Sequence, residues 1–319
     1  MTWVGWRQQR TETLLAAAVL ALLAAVAIPI GIHMASVYHH AGLSACTGAP
    51  QPGSSCGVAI PAFLLRFTSV NILFSWSTLL PPLAALLLAA PFVLDLDNGT
   101  YRLLWTQSIT RRRWIVTKLG MSVAAAVLIG LLLSLLASWS RAPLDHLNGR
   151  MSASTYDAEG IVPIAYALFV FGTAVVLGAL WRRTVPALLS ALLVYIVVRA
   201  FVDSWLRGHL VSAITTTWSM SGAGGGPNLN TSLVVSQFLS DKQGRRLPGA
   251  HEICVQTATS VAHTHTVVCR PPSSHGYMTA VYIPASRFWD LQGVEFGIVA
   301  GIGGILILAA GWWTYKRIA

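Results

Sequence analysis

Long uncharged apolar runs alternate with short polar segments along this chain. A helix rises 1.5 Å per residue, so roughly 20 apolar residues cross a hydrocarbon core of about 30 Å. Leu14 to Ile32 is such a run and continues to Val37. Ile60 to Leu94 is apolar apart from Arg66 and too long for one perpendicular span, so it divides into an interfacial helix over Pro61–Val70 and a span over Asn71–Leu94. Leu119–Ala137, Ile161–Trp181, Val185–Leu206 and Phe296–Tyr315 complete a set of six. The first run is too long for a signal-peptide core, and no small-residue cleavage site precedes the next segment. The pattern predicts an all-α polytopic membrane protein with six transmembrane helices, an inner amphipathic element and a small extracellular domain.

Composition supports this. Charged residues make up 10% of the 319 positions and apolar residues 55%. A soluble domain carries about 25% charge. The composition argues against a soluble enzyme, a disordered chain and a nucleic-acid-binding domain, although 21 Lys and Arg against 11 Asp and Glu give a net charge of +10. Topology explains that excess. With both termini in the cytoplasm, the inner segments 1–12, 95–118, 182–184 and 316–319 hold 11 of the basic residues in 43 positions. The outer segments 38–59, 138–160 and 207–290 hold 8 in 129. Basic residues are thus about fourfold denser inside, as the positive-inside rule requires. The expected location is the cell membrane, multi-pass, with no nucleic acid as partner.

The organisation follows. Residues 1–206 carry five spans and the inner loop 95–118. Residues 207–290 form an extracellular domain of irregular structure and short strands, one over Val234–Phe238. Residues 291–319 carry the sixth span and a cytoplasmic tail. All four cysteines fall outside. Cys46 with Cys56 and Cys254 with Cys269 is the pairing that closes the shortest loops and suits an oxidising exterior. Four free thiols is the alternative.

The loop 95–118 is the longest and most polar inner segment. Asn98-Gly99 marks a turn. Thr100 to Thr106 can form a short helix, and Thr110 can cap a helix running through Trp114 into the third span. Headgroup attraction alone accounts for Arg111, Arg112 and Arg113, but not for the turn and the polar run. The stretch from Asn98 to Lys118, with Gly99-Thr100, Arg102, Trp105, Thr106-Gln107-Ser108 and Arg111-Arg112-Arg113-Trp114, resembles the inner loop of type-2 ATP-binding-cassette (ABC) transporter permeases, especially actinobacterial ones. A second similarity runs from Tyr282 through Pro284-Ala285-Ser286-Arg287-Phe288-Trp289 to Gln292 and Glu295, and a weaker one covers Trp3, Trp6, Arg7, Gln8 and Arg10. The resemblance implies the permease subunit of an ABC exporter. Gly99, Thr100, Arg102, Trp105, Thr106, Gln107, Ser108, Arg111, Arg112, Arg113 and Trp114 would form its ATPase-coupling element. Asp97, two positions before Gly99, receives no role.

The chain has no Gly-x-x-x-x-Gly-Lys-Ser/Thr phosphate loop, and Gly224–Gly226 has no following Lys. No cofactor is therefore expected on this chain, and it is not itself an enzyme. ATP and Mg would belong to a separate ABC ATPase in two copies, beside a second permease copy or paralogue and the lipid membrane. Asn71, Ser75, Ser77 and Glu295 are candidates for the translocation path, and the cargo is expected to be hydrophobic or amphipathic. Serines within spans also bond their own backbone. Glu295 has a structural alternative, a pairing with Arg287. Arg199 and Asp203, four apart, can pair on one helical face. Pro81-Pro82 should kink the second span, Gly297 and Gly301 match a helix-packing pattern, and Trp312, Trp313 and Tyr315 look like an interfacial belt. His263 and His265 share a strand face if extended, but solvated loop residues are the simpler reading and no metal site is expected. The rival function is a non-transporting sensor or assembly factor whose extracellular domain binds a ligand. A membrane enzyme lacks any catalytic constellation.

Overall fold

The computed structural model describes residues 2–46, 54–100, 110–219, 227, 229, 231–247, 253–258, 265–270 and 276–317; for 2–13, 16, 153, 154, 253–258 and 265–270 it describes the backbone alone. Eight longer helices appear among them. They are α1 (Thr2–His40), α2 (Ser55–Arg66), α3 (Thr68–Trp76), α4 (Leu80–Asp97), α5 (Arg111–Asn148), α6 (Val162–Trp181), α7 (Thr184–Phe201) and α8 (Phe288–Arg317). Six helical stretches are long and apolar enough to cross a membrane, with α3 and α4 together making the second.

Local chemistry sets the boundaries. Ser54 caps α2 by accepting the Gly57 N–H at 3.0 Å, so the short apolar helix begins earlier than Pro61. A 3-10 turn over Ser77–Leu79 divides α3 from α4, and Pro81 and Pro82 occupy the first turn of α4, where their missing N–H groups cost least. The expected kink site is thus a 3-10 turn within a stretch that stays right-handed helical. The third span was expected to end at Ala137; α5 instead has 38 residues, about 57 Å at 1.5 Å each. The apolar pattern stops where Ser140, Arg141 and Asp145 begin, yet the helix continues because these side chains are buried against protein.

The fourth span, α6, is the centre of the bundle, packed on α4, α5, α7 and α8. Phe169, Val170, Phe171, Ala174 and Val175 are buried along it. It meets α8 at closest approach where Gly172 faces Gly303; a Cβ on Gly303 would lie 2.8 Å from the Phe169 backbone nitrogen. Gly297 and Gly301, the pair singled out in the sequence, have no neighbouring atoms where a Cβ would sit and face outward.

A smaller apolar cluster of Met34, Leu43, Phe63, Phe67 and Leu144 lies where α1, α2 and the end of α5 meet. The Cys46–Cys56 disulfide closes the loop beside it, with Cα atoms 5.7 Å apart. Closing ten residues is worth roughly 2.5–3 kcal/mol in the chain-entropy model.

Among its described residues, the polar segment after α7 holds five strands: β1 (Ile214–Ser219), β2 (Leu233–Ser240), β3 (Ile253–Ala258), β4 (His265–Arg270) and β5 (Tyr277–Ile283). The β1, β5 and β2 strands form an antiparallel sheet with β5 in the middle. The β3 and β4 strands form a separate antiparallel pair, in which Cys254 stands directly opposite Cys269. The spans are helical as expected, and the expected Val234–Phe238 strand lies within β2. Successive spans run in opposite directions, so the Asp95 turn lies at one end of the bundle and the disulfide, the 149–161 connection and the strands at the other.

Candidate functional site

The Asp95 end is built on two acids. Helix α4 finishes at Asp97, and Gly99, with φ of 69°, turns the chain. Lys118, one turn beyond Trp114 on α5, is buried and bonds Asp95 Oδ2, while its Nζ donates to the Pro91 carbonyl at 3.2 Å. The Thr100 hydroxyl donates to Asp95 Oδ1 at 2.9 Å. Trp114 lies inward, stacked on Phe92 with ring centres 5.6 Å apart. Asp97 reaches a different helix: its Oδ2 accepts from the Thr184 backbone N–H at 2.9 Å and the Thr184 hydroxyl at 2.8 Å, at the first turn of α7. One short Asp-Leu-Asp stretch thus ties α4 to α5 and to α7 and forms the stem of the loop between α4 and α5.

Of the predicted coupling residues, Arg102, Trp105, Thr106, Gln107 and Ser108 lie outside the described residues. Thr100, Arg111, Arg112 and Arg113 are exposed above the stem, Gly99 makes its turn, and Trp114 is buried beneath. Thr110 occupies the expected cap position of α5 but makes no side-chain cap bond.

The opposite end holds a buried ionic network that the sequence reading missed. Arg207 is its hub, 1% exposed. Its Nε and Nη2 donate to the two oxygens of Glu295 at 3.0 Å each. Nη2 also donates to Asp157 at 2.6 Å and Nη1 to Asp203 at 2.7 Å. Arg199 pairs with the other Asp157 oxygen at 2.6 Å and donates to the Tyr195 hydroxyl at 3.1 Å. Tyr166 donates to Glu295 at 3.0 Å, and the Arg207 guanidinium sits 4.2 Å from the Tyr156 ring centre. A π-helical turn over Val202–Leu206 precedes Arg207; such turns interrupt an α-helix at specialised positions. Gln292 fastens the same region by accepting the Ile161 and Val162 N–H groups at 3.0 Å and donating to the Tyr156 carbonyl at 3.0 Å. Alongside, Arg141 and Arg150 flank Asp145 and Glu159. Burial pushes the Asp157 carboxyl above its ordinary range against the pull of Arg207 and Arg199, and burial with the nearby Glu295 charge pushes the Tyr156 phenol up.

Two sequence expectations change here. Arg199 and Asp203 do not pair with each other, because Asp157 takes Arg199 and Arg207 takes Asp203. Glu295 pairs with Arg207, whereas Arg287 bonds Ser212. The other path candidates are spread along α3 and the turn after it. Ser75 donates to the Asn71 carbonyl at 2.9 Å and Ser77 to the Phe74 carbonyl at 2.6 Å, so both hydroxyls bond their own helix. Asn71 borders an open pocket of about 390 Å³ with Leu64, Thr68 and Leu144. Among the described residues no group of three or more His, Cys, Asp or Glu is placed to hold a metal ion. His263 lies outside them, and His265 opens β4.

A family model for ABC-2 membrane transporter related proteins matches residues 17–207, more than half of the chain. The chain belongs to the ABC-2 membrane transporter related family. The match starts within α1 and stops at Arg207, so both ties of the Asp95 stem fall within this ABC-2 protein's family-wide stretch. The strands, α8 and Glu295 fall beyond it. The Arg207 network therefore joins the matched stretch to the sixth span. ABC-2 permeases work in a membrane with an ATPase subunit. No curated protein matches the chain, and no solved structure does.

Proposed function

We propose that this chain is the membrane-spanning permease subunit of an ABC exporter, driven by a separate ATPase. Two permeases, identical or paralogous, enclose a path, and two ATPase copies carrying ATP and Mg dock beneath them. Both termini and the Asp95 end face the cytoplasm, a reading supported by the density of Lys and Arg there. The protein sits in the cell membrane.

The observation that carries this is the Asp95 stem. A partner pushing on residues 98–113 meets a loop whose base is bonded to α5 through Lys118 and to α7 through Thr184. Displacement is then delivered to three helices at once. Arg111, Arg112 and Arg113 are exposed for carboxylates on the ATPase. A hydrophobic or amphipathic cargo is supported by an apolar cavity of about 360 Å³ beside the 3-10 turn, lined by Leu22, Val26, Phe74, Leu80, Leu133 and Ala137.

Co-purification tests the reading. An ATPase of about 30 kDa, the size of a single domain, should accompany the tagged chain from membranes. Changing Arg111, Arg112 and Arg113 together to Glu should abolish that association and leave membrane insertion intact. Association that survives the change overturns the docking assignment, and absence of any ATPase favours the sensor reading.

A further inference from the structure

At the Asp95 end, α5 and α8 leave a groove between them. Its α5 wall is Arg112, Ile115, Val116 and Leu119, spaced i, i+3, i+4, i+7, which places them on one helical face. The α8 wall is Ile307, Leu308, Gly311, Trp312 and Tyr315. The groove has a volume of about 490 Å³. Gly311 keeps it open: a Cβ there would lie 3.6 Å from both Ile115 and Leu119, and anything longer would enter the space. Val116, Leu308, Trp312 and Tyr315 are all more than half exposed, so the groove opens sideways, toward the region the bilayer occupies.

Arg112 lines the groove, and among the described side chains the charge across this end of the bundle is one-sided. This end carries Arg111–Arg113, Arg182, Arg183, Lys316 and Arg317, whereas its described carboxylates, Asp95 and Asp97, are bonded to Lys118 and Thr184. Lys316 lies 5.0 Å from the Trp312 ring centre. The first turn of α5, which presents Arg112, receives no side-chain cap from Thr110. A helix N-terminus favours an anion.

From the apolar walls, the basic end and this uncapped turn together, we infer that the groove holds one anionic phospholipid. An acyl chain lies between α5 and α8, and the phosphate headgroup meets Arg112 and the start of α5. Zwitterionic lipid fits the walls equally but gains less at that end. Arg112 then serves the lipid groove in addition to ATPase docking, because it shares a face with Ile115 and Leu119, and the site stands whether or not an ATPase docks nearby.

The test is native mass spectrometry of the full chain in detergent micelles containing equimolar phosphatidylglycerol and phosphatidylcholine. Phosphatidylglycerol should dominate the first bound lipid. Arg112→Gln should reduce that preference about fivefold, the scale of one basic residue near a headgroup. Gly311→Leu should lower occupancy by both lipids by filling the groove. Arg183→Gln, at the same end but off the groove, should leave the preference unchanged. Equal occupancy by the two lipids overturns the inference, as does a preference that survives Arg112→Gln or an occupancy that survives Gly311→Leu. So does an Arg183→Gln effect as large as that of Arg112→Gln, which would reveal only a general attraction to negative surfaces.

Discussion

Replacing Arg207 by methionine keeps most of the side chain's volume and removes its charge. It leaves Glu295, fully buried, with the Tyr166 hydroxyl alone, and Asp157, 1% exposed, with Arg199 alone. Removing one partner of a buried ion pair costs about 3–5 kcal/mol, because the remaining charge stays uncompensated in low dielectric. Losing the contact to Asp203, which is 40% exposed, adds no more than about 1 kcal/mol. The single variant should therefore lose about 3–5 kcal/mol, nearly all of it through Glu295 and Asp157. Unfolding by added dodecyl sulfate in mixed micelles, followed by tryptophan fluorescence, measures this. A second variant separates charge from packing. Arg207→Met combined with Glu295→Met removes the stranded carboxylate, and well-packed apolar replacements of buried pairs are often neutral. The double variant should be more stable than the single one. A single variant within about 1 kcal/mol of the parent would refute the burial reasoning, and so would a double variant less stable than the single.

Asp97→Ala removes the acceptor at the first turn of α7 and spares the arginines above it. It should leave ATPase association intact and reduce cargo-dependent ATP hydrolysis several-fold in reconstituted vesicles; unchanged hydrolysis would remove Asp97 from the transmission path. Peptide mapping without reduction should recover Cys254 joined to Cys269, since the β3–β4 register places their backbones opposite each other at a separation a disulfide spans. Free thiols at both positions, in protein from an oxidising compartment, would contradict that pairing.

The spans were legible because a bilayer demands one thing of a helix surface, and this composition announces it. The turn after α4 was legible for a related reason: Asn98-Gly99 needs a left-handed turn, and Gly99 adopts one. What stayed hidden was where acids go. Only 11 Asp and Glu occur in 319 residues, and five of them, Asp145, Asp157, Glu159, Asp203 and Glu295, enter ion pairs at one end, all but Asp203 with buried side chains. Periodicity reads Asp157 and Glu159 as loop residues in water. A helix wheel pairs Arg199 with Asp203, because it knows only neighbours on the same helix. Neither can see that the 149–161 connection folds into the bundle and offers Arg199 a closer partner. The scarcity of acids was the available signal: in so apolar a chain a carboxylate is costly, and each one retained near a span invites a search for its cation. Asp97 escaped for a similar reason, since its partner is a backbone N–H 87 residues away.

The two ends gain meaning from α7, which joins them. Its first residue is held by Asp97, and the turns after its last residue deliver Arg207 to Glu295 on α8. Between those points its face toward the surroundings is apolar and exposed, with Val185, Leu189, Leu193, Ile196 and Val197 pointing away from the bundle. In the proposed exporter, force applied at the Asp95 stem would reach Arg207 along α7, which packs on α6 on its inner side. The Arg207 network would be the load at the far end, where bonds to Glu295, Asp157 and Asp203 share one guanidinium. That is why Asp97→Ala and Arg207→Met should differ in kind. The first cuts the lever from its drive and should spare the fold, whereas the second removes the load and should weaken the protein itself.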